Sequence, residues 1–193
     1  MPKHSAPRPP LVVHIELAGI EPAIWRRLMV PASITLPQLH EALQAVLGWH
    51  DLHLHEFRLP GRTYGVPDPD GASDPRLIDE AGLSLVGLLE SGITLSYVYD
   101  LGDHWEHHIS LEAQRPAKEP PTLPFCLAGA NAGPPEDTGG PGAYVAFIEA
   151  MANPAHPEHE AMLEWYGQLF DPTAWDIERV NRRLKHLQQT WQR

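Results

Sequence analysis

The chain of 193 residues has a single cysteine, Cys126, so no disulfide can form within it. It also lacks a long apolar run, since no window approaches the roughly 18 consecutive apolar residues that cross a membrane. Near its beginning, the apolar residues 11–13 are far too few for the apolar core of a signal peptide. We therefore expect a protein with no membrane segment that works in the cytoplasm.

Basic side chains are scarce, because 14 Lys and Arg stand against 25 Asp and Glu, for a formal net charge of −11. Affinity for nucleic acid rests on clustered Lys and Arg, so the overall charge argues against a nucleic-acid partner. Residues 176–193 are an exception, with five Lys or Arg and two acids. This segment is either an ordinary solvated helix face or a basic patch that contacts nucleic acid.

Three common catalytic motifs are missing: the Gly-x-Ser-x-Gly of hydrolases, the His-Glu-x-x-His of zinc proteases and the glycine-rich dinucleotide fingerprint. Enzyme activity is therefore left open. Hydrophobic residues make up 42% of the chain, enough to fill one core. We predict a disordered tail over residues 1–10, which have little to bury, and a single domain over residues 11–190.

Two β-prone segments open the predicted domain. Residues 11–17 and 24–30 flank turn-forming residues and predict a hairpin of two strands. Alternation of apolar and polar residues returns over residues 53–59, which predicts a later strand.

The helix signals are clearest over residues 36–47. Thr35 and Gln38 have the spacing of a capping box at its start. Gly48 suits the left-handed position that ends a helix. Together with the strands around it, this helix predicts a ββαβ unit.

A β-prone run over residues 93–111 predicts a second hairpin. Its apolar and aromatic residues occupy odd positions on both strands, so Tyr99 and Trp105 should share one face. A three-residue turn that begins at Gly102 meets this condition and pairs Tyr99 with His107. Gly102 or a neighbour should then be left-handed.

The rest of the chain is read as loops and helices. Segments rich in Pro and Gly predict loops at residues 60–75, 115–124 and 124–142. Apolar periodicity predicts helices at residues 85–90 and 142–152, within 157–169, and after Asp176. The fold class is therefore α+β. We expect a mixed, largely antiparallel sheet with a β-grasp-like ββαβ core, extended by the 93–111 hairpin, and additional C-terminal helices.

Two separate motifs resemble those of a known family. Residues 97–109, Tyr-Val-Tyr-Asp-Leu-Gly-Asp-His-Trp-Glu-His-His-Ile, resemble the signature Y-x-Y-D-F-G-D-x-W-x-H of the plasmid pRiA-type Orf-three-like family. Residues 134–140, Pro-Pro-Glu-Asp-Thr-Gly-Gly, resemble its second signature, P-P-E-D-x-G-G. We call them the first and the second motif. Other segments match in the same order, from about residue 11 to 187.

The resemblance implies a fold and the location of a site, but no reaction, because the family has no established activity. Some members are labelled TnpR-like passenger proteins of insertion elements, which implies an association with mobile elements. Many relatives carry cysteines where this chain has Gly133 and Thr138, although Cys126 is retained. This difference argues against a cysteine-rich metal or redox site here.

We expect the loops that carry the two motifs to meet and form the functional surface. Its candidate residues are Asp100, Asp103, Trp105, His107, Cys126, Glu136 and Asp137. Simpler roles compete with a functional one. The aspartates suit turns, the acids of the second motif suit the start of the following helix, and apolar neighbours favour a buried, inert Cys126.

A metal site is the sharpest chemical hypothesis. His53 and His55 have the spacing that presents two imidazoles on one strand face, and His107 can join them from a neighbouring strand. The carboxylates of the two motifs offer further ligands for a divalent metal. The alternative to a metal site is chance, because 12 histidines in a chain of this length produce such pairs readily.

Three functions remain. The first is a non-catalytic binding or interaction module with a protein partner that the sequence does not name. The second is a metal-dependent hydrolase that uses His, Asp and Glu ligands. The third is a nucleic-acid-associated factor that uses the basic C-terminal helix.

Overall fold

The computed structural model describes residues 9–70, 74–89, 94–112 and 121–191. Its strands are β1 (Leu11–Leu17), β2 (Trp25–Val30), β3 (His55–Leu59), β4 (Arg62–Gly65), β5 (Leu77–Asp79), β6 (Leu95–Tyr99), β7 (Trp105–Glu112) and β8 (Phe125–Ala130). Its helices are α1 (Leu36–Leu47), α2 (Leu85–Leu88), α3 (Gly140–Ala152), α4 (His159–Tyr166) and α5 (Ile177–Trp191). Within the described ranges, no helix combines the length and the apolar character needed to cross a membrane.

All eight strands join one sheet in the order β5-β4-β3-β6-β7-β1-β2-β8. Neighbouring strands are antiparallel except for β4 and β5. The predicted α+β architecture with a mixed, largely antiparallel sheet is confirmed. The β6–β7 hairpin adds two strands to this sheet, and it lies between β3 and the β1–β2 hairpin. The β-grasp-like character of the core stays a prediction.

Helix α1 begins and ends where its caps predict. Thr35 Oγ1 accepts the N–H of Gln38 at 3.4 Å, and Gln38 Oε1 accepts the N–H of Thr35 at 3.1 Å. Gly48 ends the helix with a left-handed φ of 92° and donates its N–H to Gln44 O. The apolar face, which includes Leu39 and Leu43, is fully buried. Because Gly48 ends α1, the segment that carries His53 and His55 begins directly after it.

The predicted register of the β6–β7 hairpin is wrong by two residues. Tyr99 pairs with Trp105, and Tyr97 pairs with His107, so the turn has five residues, 100–104, rather than three. A slip of two residues keeps every side chain on its face. Tyr99 and Trp105 therefore still share one face, and both are buried.

The side chain of Asp100 explains the longer turn. Its Oδ1 accepts the N–H groups of Gly102 at 3.0 Å and of Asp103 at 3.2 Å, while its backbone oxygen accepts the N–H of His104. The left-handed residues are Asp100, with a φ of 55°, and His104, with a φ of 58°, rather than Gly102 or its direct neighbours. Aspartate closes turns through such bonds, which strand parity does not take into account.

Three strands lie outside the predicted ones. β4 and β8 fall in segments predicted as loops, and β5 follows the first of those segments. β8 pairs with β2, and Asn181 of α5 bonds to the N–H of Cys126 at 2.8 Å and to its C=O at 3.0 Å. Short strands of this kind depend on their neighbours more than on local propensity.

The remaining helices lie close to their predicted positions. α3 begins at Gly140, two residues earlier than predicted, and α4 lies within residues 157–169. Asp176 caps α5, because its Oδ1 accepts the N–H of Arg179 at 2.8 Å. α2 starts after Ser84 as predicted. Its predicted end at residue 90, the tail up to residue 8 and the connector over 115–120 lie outside the described residues.

Candidate functional site

The two motifs meet in the folded chain. Gly139 donates its N–H to Asp103 Oδ2 at 2.8 Å, and the Tyr99 hydroxyl donates to Glu136 Oε1 at 3.2 Å. Gly140 lies so close to Asp103 that an added Cβ would stand 2.5 Å from the Asp103 backbone oxygen. The predicted contact between the two loops is therefore present in the structure.

Three of the motif carboxylates hold backbone in place. Asp100 closes the β6–β7 turn, and Asp103 anchors the start of α3 through Gly139. Glu136 accepts the N–H of His50 at 2.8 Å. It thereby joins the second motif to the segment after α1. These bonds give the motifs a structural role whatever else they do.

One histidine stands between the two motifs. His53 Nε2 lies 2.8 Å from Asp137 Oδ1 and 3.6 Å from Asp100 Oδ2. We call His53, Asp100 and Asp137 the junction cluster. Partial burial acts to lower the pKa of His53, but the carboxylates of Asp137, Asp100 and Glu136 outweigh it and raise the pKa. The cluster holds one imidazole and two carboxylates, of which Asp137 is exposed and Asp100 is largely buried.

The predicted ligand set of His53, His55 and His107 does not form one site. β3 begins at His55, so His53 precedes the strand and does not share its face. His55 instead contacts Glu80 at 3.1 Å. His107 is fully buried, its Nδ1 lies 3.0 Å from Trp105 O, and burial lowers its pKa to about 4.

A second group of polar residues, of which the sequence reasoning named only His55, lies beneath the end of α1. The rings of His40 and His55 stack at 3.6 Å between centroids with 8° between their planes. His40 Nε2 lies 2.9 Å from Asp51 Oδ1, and Glu80, which pairs with His55, is buried. Position 40 falls on the apolar stripe of α1, four residues after Leu36, and this was the sequence signal for His40.

The hydrogen bonds of this group fix the tautomer of His40. The Asp51 carboxylate can only accept, so neutral His40 carries its proton on Nε2 and donates it to Asp51 Oδ1 at 2.9 Å. Nδ1 then accepts from the Tyr97 hydroxyl at 2.8 Å, while the Tyr97 oxygen accepts from Gln44 at 3.1 Å. Burial, reinforced by the neighbouring His55, lowers the pKa of His40 to about 4.

Two other candidates lie in the core. Cys126 is buried, its Sγ lies 3.3 Å from Ala128 O, and burial raises the pKa of the thiol to about 11. The interpretation of Cys126 as a buried thiol is confirmed. Trp105 packs edge-on against Tyr144 and near Trp49. Neither side chain reaches the surface on which the motifs meet.

A groove of about 900 Å³ adjoins the junction cluster. Leu54 and Leu101, the chain neighbours of His53 and Asp100, line it together with Val66. These three side chains are 67%, 41% and 59% exposed, respectively. No sequence pattern indicated the groove, because its walls come from β3, β4, the residues between β4 and β5, and the β6–β7 turn. The remaining lining residues are His55, Glu56, Arg58, Leu59, Gly61, Arg62, Thr63, Pro67, Asp68, Pro69, Asp74, Arg76 and Leu77.

The fold and the site together define an α+β protein. Its mixed eight-stranded sheet carries two polar motifs that are hydrogen-bonded to each other and lie beside an apolar groove. The chain belongs to the plasmid pRiA4b ORF-3-like protein family, which matches residues 10–179. It is 39% identical over 184 residues to the uncharacterized protein y4hQ of Sinorhizobium fredii, a match that covers 93% of this chain and 92% of that protein. It is also similar to the crystal structure of MM3350, a protein of unknown function from Methanosarcina mazei Go1. The TM-score is 0.78 at 34% identity, over 88% of this chain and 96% of that one.

Proposed function

We propose that the protein is a non-catalytic binding module that takes up an apolar polypeptide segment in the groove beside the motif junction. The observation that carries this proposal is the exposure of Leu54, Val66 and Leu101 on one groove. Exposed apolar side chains that line the same concavity are typical of interaction sites. We keep an association with mobile elements as a further expectation from the family.

The shape of the groove favours a polypeptide over a small molecule. A small ligand usually has most of its surface enclosed by its pocket. Here Leu54 and Val66 are more than half exposed and stand at the surface, as residues do in a protein interface before the partner arrives. Arginine is also frequent at such interfaces, and Arg58, Arg62 and Arg76 lie along the groove.

The chemistry of the motif residues supports binding rather than catalysis. Asp100 and Asp103 accept backbone N–H groups of the two motifs, and Glu136 accepts the N–H of His50. Burial raises the pKa of Cys126 to about 11, which keeps the sulfur protonated and a poor nucleophile at neutral pH. The motifs therefore act in this proposal as a rigid frame beside the groove.

The basic helix gives less support to a nucleic-acid partner. Arg183 of α5 donates to Ala45 O at 3.3 Å, which turns its guanidinium toward the end of α1. Arg182 Nη2 lies 3.9 Å from Asp176 Oδ2, and Arg182 Nη1 lies 3.8 Å from Glu178 Oε2. Two of the cations of α5 are thus already near carbonyl or carboxylate oxygens of the chain.

Selection from a random peptide library displayed on phage, with the intact chain as bait, tests the proposal. We expect enrichment of peptides rich in apolar residues, and a loss of at least about tenfold in their affinity for Leu54→Asp and Leu101→Asp, since a buried charge costs more than 1.4 kcal/mol. Leu169→Asp is the matched control, because Leu169 is 70% exposed but does not line the groove. The proposal is overturned if no peptide is enriched or if both groove variants bind as the parent chain does.

A further inference from the structure

The junction cluster brings three metal-binding side chains together from separate parts of the chain. One donor atom of each side chain lies within 4.8 Å of the other two, and His53 Nε2 is 3.6 Å from Asp100 Oδ2 and 2.8 Å from Asp137 Oδ1. We propose that the junction cluster binds one divalent cation through these three atoms. This metal site is distinct from the apolar groove, and metal binding does not depend on what occupies the groove.

The distances between the three donors suit a shared ion. Bonds of about 2.0–2.2 Å to zinc place neighbouring donors about 3.0–3.5 Å apart. The observed separations of 2.8 Å and 3.6 Å from His53 Nε2 bracket that range. Shifts of a few tenths of an ångström bring these two separations into range, and the two carboxylates, which lie within 4.8 Å of each other, close the rest by turning toward the ion.

Hydrogen bonds around the cluster orient its donors. Asp100 Oδ1 is held by two N–H groups of its turn, which leaves Oδ2 toward His53. The segment around His53 is fixed on both sides, because Leu52 N donates to the Tyr99 hydroxyl at 3.0 Å and Asp100 N donates to Leu54 O at 2.9 Å. Partners of this kind orient the ligands in known metal sites.

The charge of the cluster also suits a cation. Two carboxylates and one imidazole carry a net negative charge whether or not His53 is protonated. Glu136, next to Asp137 in the second motif, adds to the negative potential, and Asp137 is exposed to solvent. A divalent ion neutralises the two carboxylates and keeps a coordination position open to water.

The other group of potential ligands is less suited to an ion. In the group of His40, Asp51 and His55, the two rings are parallel and stacked. An ion in the plane of one ring would stand well out of the plane of the other, where the nitrogen lone pair does not point. The geometry therefore favours the junction cluster.

The donor set indicates the kind of ion. One imidazole and two carboxylates suit zinc, manganese or ferrous iron, whereas magnesium prefers oxygen ligands alone. Zinc binds most donor sets of this type more tightly than manganese or iron does. Zn²⁺ is therefore the probe of choice, with Mg²⁺ as the comparison.

Isothermal titration of the intact, untagged, chelator-stripped chain with Zn²⁺ tests the site. We expect one Zn²⁺ per chain, and at least about tenfold weaker binding in His53→Gln and in Asp137→Asn. Asparagine tolerates the left-handed φ of 58° at position 137, so that variant should fold. Asp100 is left unchanged, because its other oxygen closes the turn.

Asp51→Asn is the control, because it removes a carboxylate from the other histidine group. We expect this variant to bind Zn²⁺ as the parent chain does, and Mg²⁺ to give no comparable heat with any of the proteins. Absence of Zn²⁺ binding in the parent chain overturns the proposal. So does binding that survives both junction variants or that Asp51→Asn abolishes.

Discussion

Arg26 is a cation in the core, at only 2% exposure. Its guanidinium donates to the carbonyl oxygens of Val46, Trp25, Ala130 and Asn131, at 2.7 to 3.0 Å. These bonds join β2 to the end of α1 and to the end of β8. Val46 O also belongs to the negative end of the α1 dipole, which favours a cation there.

We predict that Arg26→Met lowers the free energy of unfolding by at least about 3 kcal/mol, because it leaves several buried carbonyl groups without a donor. Arg27→Met is the matched control, because Arg27 is exposed and pairs with Glu112 at the surface. It should cost less than about 1 kcal/mol. Urea unfolding of the three proteins measures the difference, and equal costs for the two variants would contradict the role given to Arg26.

The sequence indicates where Arg26 lies but not what it binds. Alternation along β2 puts Arg26 on the same side as Ile24 and Leu28, which are buried. Most of its acceptors are 20 to 105 residues away along the chain. Local pattern carries no information about such partners, so an arginine on an apolar face cannot be given its role in advance.

At the scale of elements, the contact between the two motifs depends on Gly140. This residue begins α3 with a left-handed φ of 83°, and its Cα faces the backbone oxygen of Asp103. A side chain there meets both an unfavourable backbone conformation and a steric clash. The start of α3 and the turn of the first motif can approach each other this closely only with glycine at position 140.

We predict that Gly140→Ala destabilises the protein by about 3 kcal/mol, from the left-handed conformation and the clash together. Gly142→Ala is its control in the same helix, because an added Cβ there has no neighbour within 4 Å. It should leave stability unchanged or raise it by up to about 1 kcal/mol, as alanine favours a helix over glycine. Thermal unfolding of both variants checks the prediction. A Gly140→Ala protein as stable as Gly142→Ala would show that the motifs do not need this contact.

Elements with local signals could be predicted, whereas elements defined by their partners could not. Helix α1 carries its caps in the sequence, at Thr35 and Gly48, and it forms as predicted. The β6–β7 turn is set by the side chain of Asp100, so strand parity gave the right faces with the wrong register. β8 depends on β2 and on Asn181 of α5, which no local pattern records.

The same distinction applies to the candidate site. The two motifs identified Asp100 and Asp137, and the structure places both in the junction cluster. The spacing of His53 and His55 suggested one ligand pair, but β3 begins only at His55, so the two side chains diverge. The partner of His53 is Asp137, 84 residues away along the chain. Only the closure of the fold brings that pair together.

At the scale of the whole molecule, two buried histidines make stability depend on pH. Burial lowers the pKa of both His40 and His107 from 6.5 to about 4. Between these values the unfolded chain binds protons that the folded chain does not. The stability that depends on neutral His40 and His107 is therefore fully present above pH 6.5 and is lost as pH drops toward 4. His53 acts in the opposite sense. Its raised pKa adds stability below pH 6.5, and that contribution is lost as pH rises through the raised value.

We predict that each buried histidine costs about 2 kcal/mol of unfolding free energy when pH is lowered from 7.5 to 5. His107→Phe should therefore lose about 2 kcal/mol less than the parent chain over this interval, whatever its stability at pH 7.5. His108→Phe is the matched control, because His108 is the exposed neighbour on the other face of β7. It should keep the full pH dependence. Urea unfolding at both pH values measures these differences. If His107→Phe loses as much stability as the parent chain, His107 is not the neutral core residue that its burial indicates.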